Sequence, residues 1–368
     1  MGHSDRSDEV WVLGATGRTG RAVAARLVAD GVAPVLVGRD GERLRRLGEN
    51  LAPDGGLRVV VGATPAETAA EIARQRPAVV VNTIGDYART ALPVMRACLP
   101  GGHYVDLAAD LGAMHQLAAL GQEAADAGST LVTGAGFGAL GTEAVVAKLC
   151  EGRPAPSEVR VDALASVAIE AGRLGEALAA SIVDVVATGG RRYSGGRLVR
   201  TRLGADVHHL TLPDGEAVTS VGAPSGELYA AHVASGAPSV TATSMLVPSS
   251  GAARAALPVL GALLRVPPLR RLAVSRLARV EVPAAPRPRE HTWGHAVVTW
   301  PDGTRREGWL RAGEAMDFTA GVAAVVAERL ARGEGKPGAY TPSAAFGPDL
   351  AIEAGGEFLL HGTARSAE

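Results

Sequence analysis

The chain has 368 residues, a formal net charge of −1 and 47% hydrophobic residues, enough for a large core divided between two domains. Charge so near neutrality argues against nucleic acid or an acidic membrane surface as the main partner. Cys98 and Cys150 are the only cysteines, which excludes a disulfide framework and points to packing.

The first ten residues are polar and carry no signal peptide pattern. The most apolar later stretch, 252–268, is broken by Arg254, Pro258 and Arg265, so no membrane span is expected. A soluble, cytoplasmic protein is the expectation. Apolar runs at Val10–Gly14, Pro34–Val37, Arg58–Val61, Ala78–Ile84, Tyr104–Ala108 and Thr130–Thr133 predict six strands. They are continuous and Val-rich rather than alternating, as in a parallel sheet covered on both faces. Helical spacing lies between them, and Thr64-Pro65-Ala66-Glu67 carries the N-cap, N1 proline and N3 glutamate of a helix start.

Near residues 151–156 the pattern changes. "SEVRVDALASVA", "SVTATSMLV" (239–247) and "HAVVTW-PDGT-RREGWL" (295–310) alternate with period two, the last as a hairpin. Such strands suit an antiparallel sheet. A helix over Leu174–Thr188 places Leu174, Leu178, Ile182 and Val185 on one stripe, and 267–286 is basic, amphipathic and flanked by prolines, a surface helix or a flap. A long helix is predicted from Glu314 to Arg332.

"WVLGATGRTGRAVAARL" places Gly14, Gly17 and Gly20 where the first strand hands over to the first helix. In a βαβ unit these serve a tight turn, close approach of a pyrophosphate, and close helix packing. Ala15, Thr16, Arg18 and Thr19 complete the loop, and the helix N-terminus favours an anion. The expected fold is therefore a Rossmann-type doubly wound parallel sheet, with a second α+β domain holding a largely antiparallel sheet. At the end of the second strand, "PVLVGRD" has Gly38 near the position of the ribose-binding acid and Arg39 after it. A guanidinium favours a 2′-phosphate, hence NADP over NAD. A one-residue shift would instead make Asp40 the ribose acid.

Three stretches resemble saccharopine dehydrogenase-like oxidoreductases: "VVVNTIGDYARTALPVMRACLPGGHYVDLAAD" (79–110), "TLVTGAGFGALGTEAVV" (130–146), and the closing hairpin with "KPGAYTPSAAFGPDLAIEAGG". The resemblance implies an NADP-binding domain at 1–140, completed by 313–368, and an α+β domain at 141–312 for substrate binding and dimerisation. The family includes saccharopine-forming enzymes, which reduce C=N, and trans-acting enoyl reductases, which reduce C=C in polyketide-type lipids. The sequence departs from it at Asp86 (commonly Pro), Ala109-Asp110 (commonly Gly-Glu) and Gly138 (often Asp).

Ligands of a doubly wound sheet sit at the carboxyl ends of its strands. That selects Asn82, Thr83, Ile84 and Gly85 for the nicotinamide side of the cofactor, with Thr64 after the third strand. Candidate chemistry falls to Tyr87 (proton donor or orienting group), Asp86 (amine binder or acid, otherwise a helix cap), Asp106 (catalytic or a structural hydrogen-bonding group) and Asp110 (helix cap or pocket residue). The expected substrate cleft lies between the domains, bounded by Asp86-Tyr87, Asp106 and Gly136-Phe137. No histidine has metal-ligand spacing, so no metal is expected. The leading expectation is an NADPH-dependent reductase acting on C=N or C=C of a small or polyketide-like substrate, as a homodimer. The alternatives are a redox-silent NADP sensor or scaffold and a non-redox biosynthetic enzyme.

Overall fold

The computed structural model describes residues 7–245 and 250–364; positions 246 and 247 of the alternating stretch 239–247 lie outside them. The chain divides into two units. The first takes 7–108, 112–136 and 316–354, the second 109–111, 137–315 and the C-terminal residues from 355.

In the first unit β1 (Ser7–Leu13), β2 (Val35–Gly38), β3 (Val59–Val61), β4 (Pro77–Asn82), β5 (His103–Asp106) and β6 (Thr130–Val132) form a sheet. A seventh strand, Gly338–Tyr340, pairs with β6. From that edge the order runs through β6, β5, β4, β1 and β2 to β3, every pair parallel. Trp11, Leu13, Val37, Val80, Tyr104 and Leu131 carry the core from strand to strand. The helices are α1 (Arg18–Ala29), α2 (Gly41–Leu51), α3 (Pro65–Gln75), α4 (Tyr87–Cys98), α5 (Leu111–Ala118) and α6 (Gly121–Asp126). Their starts follow local chemistry. Asp40 caps α2, accepting from the Glu42 and Arg43 N–H groups at 3.1 Å. Thr64 accepts from Glu67 N–H at 3.2 Å, while the Glu67 carboxylate accepts from Ala63 N–H at 2.8 Å. The chain turns back between β1 and β4, and the loops after those two strands flank the switch point.

The second unit opens with α7 (Phe137–Cys150) and β7 (Glu158–Leu164), followed by α8 (Glu176–Thr188) and α9 (Gly226–Ser235). Its mixed sheet places β7 between Ser239–Ser244, which runs parallel to it, and Thr292–Thr299, which runs antiparallel. Thr292–Thr299 and Arg305–Ala312 form the expected hairpin, closed at Gly303 with φ +79. The C-terminal strand Glu357–Ala364 pairs with Arg305–Ala312. The tail is therefore shared: residues 316–354 join the first unit and the last strand joins the second, where the hairpin leaves an edge to cover. α7 lies so close to the sheet that a Cβ on Gly294 would stand 2.0 Å from the Gly141 carbonyl oxygen.

The stripe expected on α8 faces outward. Leu178, Ile182 and Val185 are exposed, whereas Ala179, Ala180 and Val183 pack with Leu264 and Val274. Small residues face the neighbouring helices because those helices approach closely.

Away from α7 the sheet buries a charged trio. His295 Nδ1 lies 2.7 Å from Asp162 and its Nε2 3.0 Å from Glu307, with the imidazole stacked on Trp309 at 3.8 Å. Burial opposes charge on His295, but its hydrogen bonds to both carboxylates win and raise its pKa. Burial likewise opposes the Asp162 anion, and His295 and Arg160 outweigh it to hold the pKa down. The hydrogen bond from His295 lowers Glu307. A raised histidine stabilises below its unfolded value of about 6.5 and loses this as pH rises through its folded value; lowered carboxyls stabilise above about 4 and lose this as pH falls. The trio therefore contributes most between about pH 4 and 6.5. His295→Gln should cost about 2 kcal/mol more at pH 6 than at pH 10 in urea unfolding. A cost independent of pH would mean that His295 is buried neutral.

Candidate functional site

The loop after β1 is built around its glycines. Gly14 has φ +73, and a Cβ there would meet the Thr83 hydroxyl at 2.9 Å. Gly20 is buried in α1, where a Cβ would lie 2.3 Å from the Gly14 carbonyl oxygen. Gly17 is exposed at the N-cap of α1, which has no side-chain cap. Ala15 is buried beneath the loop, and Thr16, Arg18 and Thr19 are half-buried along it. A helix start left without a side-chain cap behind a glycine-rich loop fits a pyrophosphate. The residues present therefore suit a dinucleotide.

At the end of β2, Asp40 is taken up in capping α2. Arg39 is exposed and makes no hydrogen bond or ion pair among the described residues. Thr64 lies past β3 and uses its hydroxyl to cap α3, as its place before Pro65 and Glu67 leads one to expect.

The loop after β4 is tied to the glycine loop. Thr83 donates to the Leu13 carbonyl at 2.7 Å, and Ile84 N–H donates to Asn82 Oδ1 at 3.0 Å. Gly85 accepts from the Thr90 hydroxyl at 3.3 Å. Asp86 has φ +61 and pairs with the Arg89 guanidinium, Nε to Oδ2 2.6 Å. It holds the N-cap position of α4 without a side-chain cap hydrogen bond.

Tyr87 opens α4. Its hydroxyl donates to the Asn82 carbonyl at 3.3 Å and accepts from Leu107 N–H, so it bridges the ends of β4 and β5. Burial and the nearby Asp106 push its pKa far up, so the hydroxyl keeps its proton. Tyr87→Phe should lower stability by about 1 kcal/mol and turnover by less than about tenfold. A fall of about 100-fold or more without loss of stability would restore the proton-donor role.

Asp106 is buried at the end of β5. One oxygen accepts from Ala108 N–H at 3.0 Å, the Thr133 hydroxyl at 2.8 Å and Gly134 N–H at 3.1 Å. Tyr104 also hydrogen-bonds it, and Asn82 Nδ2 donates to the Tyr104 hydroxyl at 3.0 Å. Burial raises its pKa, while four donors hold the anion in place. This network joins the ends of β4, β5 and β6.

Asp110 is exposed and belongs to the second unit, where it bridges to Ser225 just before α9. Two residues on, Glu227 is a residue the sequence reading missed. It is 7% exposed, and a Cβ on Gly138 would lie 2.2 Å from its Oε1. Its Oε2 has no hydrogen-bond partner among the described residues. Burial raises its pKa against hydrogen bonds from Ser225 and its own N–H. Glu227 is thus a carboxyl suited to hold a proton. The signal available in the sequence was indirect, a glycine at 138 making room for it. Among the described residues no group of three or more His, Cys, Asp or Glu is placed to hold a metal ion. No helix among them is long and apolar enough to cross a membrane.

These features define a dinucleotide-binding α/β domain joined to an α+β domain. The family model of the saccharopine dehydrogenase NADP binding domain matches residues 10–132. The trans-acting enoyl reductase of Mycobacterium tuberculosis (strain H37Rv) is 32% identical over 157 residues, 40% of this chain and 37% of that protein. The Mycobacterium ulcerans protein of the same name is 34% identical over 146 residues, 37% of this chain and 34% of that protein. The matched regions thus span well under half the length of these relatives. A metagenomic short-chain oxidoreductase in complex with NADP is 20% identical with a TM-score of 0.30, covering 35% of this chain and 82% of that one.

Proposed function

We infer that the chain is an NADPH-dependent reductase of a carbon–carbon double bond conjugated to a carbonyl, in a small or polyketide-like substrate. The observation that carries the cofactor choice is the commitment of Asp40 to capping α2, which leaves Arg39 to the 2′-phosphate. The names of the mycobacterial relatives favour the enoyl bond. A C=N bond is the second reading, favoured by the saccharopine dehydrogenase description of the matched domain.

When bound, NADPH supplies two electrons and one hydrogen to a substrate carbon. Gly14–Gly20 holds the pyrophosphate, Arg39 and Arg18 hold the 2′-phosphate, and Asn82 to Gly85 line the nicotinamide side. Tyr104 and Asp106 fix the Asn82 side chain, and Tyr87 fixes the backbone beside it. A cytoplasmic homodimer belongs to the same reading.

The test is consumption of NADPH with an α,β-unsaturated thioester, set against an imine formed from an amino acid and a keto acid. Consumption with the thioester alone supports the first reading, and with the imine alone the second. Tight binding without consumption of NADPH would make the chain a redox-silent binder. Arg39→Asp should weaken NADPH about 10- to 100-fold and NADH less than about threefold, because only one carries the phosphate. Equal losses would remove the phosphate contact.

A further inference from the structure

Three helices of the second unit turn apolar side chains to solvent. α8 exposes Leu178 and Ile182, α10 (Gly251–Leu264) exposes Val259 and Leu263, and α11 (Pro267–Leu277) exposes Leu269 and Leu272. These helices share a small core of Ala179, Ala180, Val183, Leu264 and Val274, so the outward side chains are not needed to hold them together. A cluster of this kind marks an interaction surface.

Charge says what covers it. Between Gly251 and Val280 the sequence has six arginines and no acidic residue; α8 adds Glu176 and Asp184, and Asp184 pairs with Arg270, so arginine stays in excess on these helices although the whole chain carries −1. Arg271, Arg276 and Arg279 are exposed; helical spacing puts Arg276 beside Leu269 and Leu272, and Arg279 follows just past the end of the helix. Arg265 adds a further exposed cation between the two helices, close enough to Arg191 for the two to repel. The near-neutral total thus conceals a local cationic field, which overrides the expectation drawn from net charge. A second copy of the chain fits poorly. A two-fold interface sets the same patch against itself, arginine against arginine. An anionic lipid surface satisfies both features, with leucines entering the headgroup boundary and arginines meeting phosphates.

We propose that α8, α10 and α11 form a face that docks reversibly on the surface of an anionic phospholipid bilayer. The face lies flat on the lipid; nothing in it spans.

The full-length protein is sedimented with vesicles of phosphatidylcholine alone and of phosphatidylcholine with phosphatidylglycerol. Binding should be at least about tenfold tighter to the anionic vesicles and weaken with salt. Arg276→Gln and Arg279→Gln should each weaken it about fivefold. The double variant Leu263→Glu with Leu272→Glu should reduce it about tenfold or more, with thermal stability and NADPH affinity unchanged. Failure to bind anionic vesicles, or binding equal in the double variant, overturns the proposal. A concentration-dependent dimer dissolved by the same double variant also overturns it, and assigns the face to a second copy.

Discussion

Gly20→Ala lowers NADPH affinity by about 100-fold and stability by about 3 kcal/mol. The added Cβ would stand 2.3 Å from the Gly14 carbonyl oxygen, 2.8 Å from its carbon and 2.9 Å from Ala15 Cα. All three are backbone atoms, so no side chain can swing aside. α1 must move off the loop, carrying its N-terminus away from the phosphates and loosening buried Val23 and Leu27. Gly17→Ala provides the contrast. Its Cβ would meet only the Gly14 oxygen at 3.2 Å, so the fold survives while the new methyl obstructs the pyrophosphate. Urea unfolding and fluorescence titration with NADPH separate the two effects. Wild-type affinity in Gly20→Ala would mean that the helix does not rest on the loop.

Asp106→Ala costs about 4 kcal/mol, the second large effect. The change strands Ala108 N–H, Gly134 N–H and the hydroxyls of Thr133 and Tyr104 in a dry interior. Asp106→Asn keeps the shape and one accepting oxygen, so about half that loss is expected. If Asp106 positions rather than reacts, turnover in Asp106→Asn falls with NADPH affinity. Full stability and full NADPH affinity with no turnover would make it a catalytic residue.

Parallel strands buried on both faces read as unbroken apolar runs, so β2 to β6 were legible within a residue or two, and β1 starts three residues earlier than its apolar run, at Ser7. The seventh strand was not. Gly338–Tyr340 is three residues long, follows Pro337 and opens on a glycine with φ +137; only its pairing with β6 makes it a strand. The glycine loop was legible because its chemistry is local. The roles of Tyr87 and Asp106 were not, since they depend on groups that other strands bring: Leu107, Thr133 and Gly134. Asp40 shows the same limit from the other side, a polar group near a strand end that proves to be a helix cap. Gly138, where the sequence departs from the family it resembles, has its reason in Glu227, which lies 89 positions away in the sequence and occupies the space a side chain there would need.

Transfer of label from NADPH deuterated at the nicotinamide C4 tests the central claim most directly. With an α,β-unsaturated thioester as acceptor, a saturated product carrying one deuterium is expected, formed from NADPH and far more slowly from NADH at equal concentration. Tight binding of NADPH with no deuterium in any product, from the thioester or from an imine, would contradict it.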